Sequence, residues 1–260
     1  MNKRAGFTLL ELSIVLVIIG LVVGGVLVGN DLIKSAKLQK VIRESQSYQN
    51  SVAAFRLKYN ALPGDMANPD EFFPDAVWNM AATGKGNNII LAITEGADAW
   101  RQLMLANMIP AGGMLGHEGC TRVNTETCNA AFGSTRVRSA FSDKAGWVLG
   151  YSTKTSKNVV LFGGAGEINN APSYTDRAIL SSLGAYSIDS KVDDGMPYTG
   201  SVRHEGGYAT FNYQADSTRN TFRCTDADDG VLTKNSGNDM PDYFKYEGDP
   251  ACSLSFPLNM

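Results

Sequence analysis

Glu11 is the residue whose setting most needs a chemical explanation. It ends the run Phe7-Thr8-Leu9-Leu10-Glu11 and stands directly ahead of 19 residues, 12–30, that carry no charge. A carboxylate in apolar surroundings is costly unless a cation or hydrogen-bond donors meet it. The plain alternative is a side chain that snorkels to a membrane surface from the helix start. Four cysteines form a second group. Seven residues separate Cys120 from Cys128, and 27 separate Cys224 from Cys252. Three connectivities are open, and sequence alone does not choose among them. Local pairing is the expectation, each bridge contributing roughly 2–4 kcal/mol. His117 lies beside Cys120, but the spacing fits no zinc pattern and the chain holds only two histidines, so no metal cluster is expected there.

Two aspartate groups have the composition of cation loops: Asp189, Asp193 and Asp194 with Gly195, and Asp226, Asp228 and Asp229 with Gly230. Calcium needs several oxygens converging through a tight turn, and neither segment has EF-hand spacing. Solvated aspartate turns are the commoner outcome of such patterns. No firm metal site is therefore expected, and Asp189, Asp193 and Asp194 are the calcium candidates to test. Signatures of catalysis are missing: there is no G-x-S-x-G, no H-E-x-x-H and no P-loop. Gly163-Gly164-Ala165-Gly166 has no apolar helix after it and reads as a turn following a strand. The expectation is a protein without enzymatic activity.

These residues must be positioned by a chain of 260 residues, enough for one domain, or one domain plus an appendage. At 43% apolar and 19% charged it can bury a core, which excludes a disordered chain. A net charge of −3 argues against nucleic-acid binding, which requires a concentrated basic face. Charge is uneven: residues 31–60 carry six Lys/Arg against two Asp/Glu, net +4, and residues 61–260 carry 15 against 23, net −8. Thirteen residues between Leu12 and Val28 are Leu, Ile or Val, and together favour membrane insertion by ~4–8 kcal/mol. A cleaved secretory signal fits poorly, because the apolar run is too long and no small-x-small site follows it.

The pattern then continues. Leu38, Val41, Ser45, Tyr48, Val52, Phe55 and Tyr59 recur at alternating intervals of three and four, one face of an α-helix. Lys34, Lys37, Lys40, Arg43 and Glu44 fall mainly off that face. With no proline before Pro63, residues 7–59 are expected to form one helix, lipid-facing in its first half and packed on a folded body in its second. Gly20, Gly24, Gly25 and Gly29 weaken the first half. Asn60 with Pro63 and Gly64 supplies the stop, and the chain through Pro74 reads as a surface loop. Residues 97–109 are expected as an amphipathic helix closed by Gly112-Gly113, and 175–188 as another. Residues 147–151 and 159–162 read as a β-hairpin; 208–213, 221–224 and 252–256 are further strand candidates. The expected fold class is α+β: a long N-terminal helix on an antiparallel sheet with inserted short helices.

Lys3-Arg4, then Gly6-Phe7-Thr8-Leu9-Leu10-Glu11, then an apolar helix, closely resembles the class III signal of type IV prepilins and pseudopilins. The resemblance implies cleavage by a prepilin peptidase between Gly6 and Phe7, followed by N-methylation of Phe7. It gives Glu11 a part in assembly, neutralising the Phe7 amine of a neighbouring subunit inside an apolar helix bundle. It divides the chain into a leader (1–6), a transmembrane or filament-core half of the helix (7–30), a periplasmic half (31–60) and a globular α+β head (61–260). Cys224 and Cys252 then resemble the bridge that bounds the C-terminal loop of type IV pilins. Residues 59–65, the Trp100 helix and 188–195 look like parts of large bacterial pilin-like proteins, and type II secretion pseudopilins are similar in carrying C-terminal calcium loops.

The implied function is a structural subunit of a type IV pilus-like filament. The partners would be further copies of the chain, the peptidase, and a pilus or secretion assembly platform in the bacterial inner membrane. Positive charge flanks the apolar run on both sides, so charge counting does not orient it; bridged cysteines would place the head outside the cytoplasm, as the resemblance does. Before assembly the head would be periplasmic, and afterwards the subunit would lie in a surface pilus or a periplasmic pseudopilus. The alternatives are a type II secretion pseudopilin, a minor tip pilin with an adhesive role and, most distant, a membrane-tethered enzyme or binding protein that does not polymerise.

Overall fold

Thr8 opens the dominant element. Its side chain accepts from the Glu11 amide while the Glu11 carboxylate accepts from the Thr8 amide, a capping box that satisfies donors at a helix start. Helix α1 (Leu9–Tyr59) then runs for 51 residues, ~76 Å at 1.5 Å per residue. Its start lies two residues inside the expected one. Asn60, in the left-handed region at φ 51°, ends it and donates to the Arg56 carbonyl. The computed structural model describes residues 8–74, 86–92, 95–110, 137–153, 155–164, 167–168, 171–172, 178–204, 224 and 252–258.

The far half of α1 packs on an antiparallel sheet with strand order β1-β2-β3-β7-β6. The strands are β1 (Val137–Arg138), β2 (Ala145–Ser152), β3 (Lys157–Gly164), β6 (Arg203–His204) and β7 (Leu254–Pro257). A separate pair, β4 (Glu167–Ile168) and β5 (Ala171–Pro172), lies outside this sheet. β2 and β3 form the expected hairpin, longer at both ends than the apolar runs alone indicate, from Ala145↔Gly164 to Ser152↔Lys157. Gly163 and Gly164 therefore belong to the strand rather than to a turn after it. The β7 strand returns beside β3, with Val160↔Phe256 and Phe162↔Leu254 in register. The period of two puts Trp147, Leu149, Val160, Phe162, Leu254 and Phe256 into the main core with Val41, Val52 and Phe55 of α1. Val148, Val159 and Leu161 form a small cluster with Ala92 packed against it. A Cβ on Gly150 would meet the Ala92 Cβ at 2.7 Å, so β2 needs glycine where this segment crosses it.

Among the described residues two short α-helices complete the head, and both correct the boundaries expected from spacing. Helix α2 (Gly96–Leu105) stops before 109, because Asn107 turns left-handed at φ 57° and the Met108 amide bonds back to the Leu103 carbonyl. Met108 and Ile109 still pack on the core as the apolar spacing implies, but from a turn. Gly112-Gly113 lies outside the described residues. Helix α3 (Ser182–Val192) starts seven residues later than expected: the Ser181 hydroxyl caps it by accepting from the Gly184 amide at 3.1 Å. Leu180, expected inside that helix, instead bridges antiparallel to Cys252. α3 lies against α1, a Cβ on Gly184 falling 3.5 Å from the Leu38 side chain.

Residues 60–74 are not the plain surface loop expected. Leu62, Asp65, Met66, Pro69 and Phe73 are buried, with a 3-10 turn at Pro69–Glu71. The buried Asp65 carboxylate accepts from the amides of Gly86, Asn87 and Asn88 at 2.5, 3.1 and 2.6 Å, tying two distant segments together. Gly64, at φ +86°, approaches the Glu95 carbonyl so closely that no Cβ fits. The strand candidate 208–213 lies outside the described residues, as does 221–223; Cys224 is not in a strand.

Candidate functional site

The first half of α1 leaves the head bare. Seventeen large apolar side chains from Leu9 to Ile33 are each 51–87% exposed, and no head segment covers them among the described residues. This part is long and apolar enough to cross a membrane. An exposed apolar face of this size needs lipid or other helices around it. Among the described residues nothing lies within 4 Å of a Cβ built on Gly20, Gly24, Gly25 or Gly29. Gly20/Gly24 and Gly25/Gly29 have the small-x-x-x-small spacing that lets helix backbones approach. That pairing is visible in the sequence, where the glycines read only as weak points.

Glu11 stands one turn into this apolar segment. Its Oε2 accepts from the Thr8 amide at 2.8 Å and from the Thr8 hydroxyl at 2.8 Å. The carboxylate is thus held at the positive end of the helix, where the macrodipole favours a negative charge. The sequence signal for this was the Thr8-x-x-Glu11 spacing of a capping box. Gly6 and Phe7, the expected cleavage and methylation residues, lie outside the described residues.

What fixes the bare helix end to the head is a junction around Glu44. Its half-buried carboxylate accepts from the Ser139 hydroxyl at 2.6 Å, the Ala140 amide at 2.9 Å and the Trp147 indole N–H at 2.7 Å. Glu44 therefore turns toward the sheet, where spacing had put it mainly off the packed face. One turn on, Tyr48 stands edge-on to Trp100 and Trp147, ring centroids 4.9 and 5.5 Å away. Burial, and secondly the Glu44 charge, push the Tyr48 hydroxyl well above the usual tyrosine range. The Gln49 amide donates to the Pro257 carbonyl at 2.7 Å, joining α1 to the end of β7.

Cys224 and Cys252 are bonded to each other, with Cα atoms 5.0 Å apart and both residues fully buried. His204 packs close by, its Nδ1 3.1 Å from the Ser253 carbonyl. Sulfurs joined in a disulfide offer no thiolate, so this cluster is not a metal centre in the oxidised protein. Cys120, Cys128 and His117 lie outside the described residues, as do Asp226, Asp228 and Asp229.

Asp189, Asp193 and Asp194 do converge, with ligand oxygens within 4.8 Å of one another. Asp189 belongs to α3 and is buried, not on a loop. The Asp193 carboxylate accepts from the amides of Ser201 and Val202. Asp194 accepts from the Met196 amide at 2.9 Å and the Thr199 hydroxyl at 2.5 Å. Two of the three carboxylates thus hold the 193–202 loop, which leaves few oxygens toward the six to eight that calcium takes.

No curated protein and no solved structure matches the chain. The N-terminus does match a family model: residues 1–27 carry the prokaryotic N-terminal methylation motif, the signal of type IV pilins and pseudopilins.

Proposed function

We propose that the chain is a structural subunit of a type IV pilus-like filament, cut between Gly6 and Phe7 and assembled through its N-terminal helix. The observation that carries this reading is the continuity of the methylation motif with an apolar helix half that the head leaves uncovered. A membrane covers that half before assembly, and the same segments of neighbouring copies cover it in the fibre. On this reading residues 7–30 form the fibre core, 31–60 carry the helix through the periplasmic side, and 61–260 form the head.

Before assembly Glu11 rests on its own helix start through Thr8. In the filament the Phe7 amine of the next copy, freed by cleavage, supplies a full positive charge to the same carboxylate. That charge sets the register of adjacent helices in surroundings where a misplaced carboxylate is costly. The +4 arm of residues 31–60 would meet the −8 heads of neighbours.

Glu11→Val tests the assignment in native cells. The expected result is normal membrane insertion and leader removal with little or no fibre in the sheared fraction. A normal fibre yield would overturn the role of Glu11. Processed parent chain found only in membranes would place the subunit in a secretion pseudopilus instead. A few copies per fibre would mark a minor tip subunit.

A further inference from the structure

The end of the head farthest from the bare helix carries a half-open, mainly polar cleft of about 470 Å³. Five parts of the chain build it: the last turn of α1, the loop that follows it at Leu62, the segment after Gly86, the ends of β2 and β3 with their turn, and the chain just past β7. Leu62 and Leu258, both buried, supply its apolar surface. Around them stand Arg56, Asn88, Tyr151, Ser156 and Lys157. None of these five side chains has a hydrogen-bond or ion-pair partner among the described residues. The Asn158 amide is committed, accepting from the Ile90 amide at 2.9 Å and donating to the Asn88 carbonyl at 2.8 Å, so it fixes one wall to the hairpin.

Among the described residues the lining holds two cations and no acid, although residues 61–260 as a whole are net negative. Two cations facing one cleft repel each other until an anion enters, and a guanidinium is shaped to take a carboxylate through two parallel hydrogen bonds. One amide and two hydroxyls remain to both donate and accept, as an array of ligand hydroxyls requires. The Tyr151 ring and the two leucines can cover a C–H face. A peptide ligand is a poorer match, because the strand ends here are already paired: Tyr151 with Asn158, Ser152 with Lys157, and the Leu258 amide with the Asn158 carbonyl. Among the described residues no open ladder is left at the cleft for an extended chain.

We infer that this cleft is a binding site for an acidic saccharide, a sugar ring bearing a carboxylate, held by Arg56 and Lys157 with its hydroxyls on Asn88, Tyr151 and Ser156. Arg56 lies ~70 Å along α1 from Leu9, so a membrane-held or fibre-end subunit presents the site away from its anchor. The inference does not depend on polymerisation.

The test uses the full-length chain in detergent micelles, titrated with a glucuronate-containing disaccharide and with lactose and followed by saturation-transfer NMR. The expected result is transfer to the acidic disaccharide alone, weakened by salt and reduced about tenfold in affinity in each of Arg56→Gln and Lys157→Gln. Both positions are exposed, and near-UV circular dichroism would verify that each variant keeps the parent fold. No transfer at about 10 mM sugar, equal transfer to lactose, or unchanged affinity in both variants would overturn the assignment. Stronger displacement by an acidic peptide copied from residues 224–231 would also overturn it, in favour of a second head as the occupant.

Discussion

Replacing Glu44 by alanine should be the most damaging single change at the helix–head junction. The carboxylate accepts three hydrogen bonds of 2.6–2.9 Å from donors on and beside β1 and β2. Hydrogen bonds to a charged group contribute about 1.5–3 kcal/mol each, which would reach roughly 9 kcal/mol for three if they simply added. They share one half-buried carboxylate and are not independent, so the sum is an upper bound. What alanine leaves behind is more informative. The Trp147 indole N–H is fully buried and the Ser139 hydroxyl nearly so, and each loses its acceptor.

A loss of ~2–6 kcal/mol is expected for Glu44→Ala, because two buried neutral donors are each left unsatisfied at about 1–3 kcal/mol. Glu44→Gln keeps one acceptor oxygen and should lose ~1–2 kcal/mol. Asp70→Ala, exposed on the 3-10 turn, serves as a control and should stay within ~0.5 kcal/mol of the parent. The assay is urea unfolding of the full chain in detergent followed by tryptophan fluorescence. A double-mutant cycle with Trp147→Phe should show coupling of ~1 kcal/mol or more. A Glu44→Ala variant within ~0.5 kcal/mol of the parent would refute the reasoning. The sheet would then be held to α1 by apolar packing and by the Gln49 to Pro257 hydrogen bond.

Three further outcomes follow from the same structure. Tyr48 has its folded-state pKa raised, so the fold retains a proton that the unfolded chain gives up above pH ~10. Stability from this group is complete below that pH and falls as pH rises, by up to about 1.4 kcal/mol per unit; Tyr48→Phe should flatten the alkaline limb, and an unchanged limb would contradict the assignment. Asp65→Ala should free the three amides of residues 86–88, costing ~2–4 kcal/mol and raising hydrogen exchange there first. Unchanged exchange at those amides would show that the carboxylate does not hold the segment. The Cys224→Ser/Cys252→Ser double variant opens a bridge spanning 28 residues and should lose roughly 3.5 kcal/mol by chain entropy, a loss under ~1 kcal/mol speaking against that account.

The long helix was legible because its signal is periodic. Val41, Val52 and Phe55 are buried as alternating steps of three and four require, with Leu38, Tyr48 and Tyr59 packed beside them. Its start was misread by two residues, although Thr8 and Glu11 print a capping box. Helix ends elsewhere were set by contacts that spacing does not encode. Ile179 and Leu180 sit at helical spacing, yet both amides donate to the Cys252 carbonyl, a partner more than 70 positions away. Asn107 ends α2 by adopting a left-handed conformation while the apolar pattern runs on past it. The two-residue strands β1 and β6 are too short to show any alternation.

At the apolar end the sequence singled out Glu11 directly, because a carboxylate inside such a run is conspicuous. Glu44 was hidden, since a charge at the margin of a helical face looks like a solvated one until the sheet arrives. The cleft at Arg56 and Lys157 was also hidden, being assembled from segments that come together only in the folded head.

The most direct test of the account is the intact mass of the protein sheared from the surface of native cells. The account predicts a chain that lacks residues 1–6, begins at Phe7 and carries one added methyl group. Full-length chain confined to the membrane, with nothing shed, would contradict both the processing and the filament.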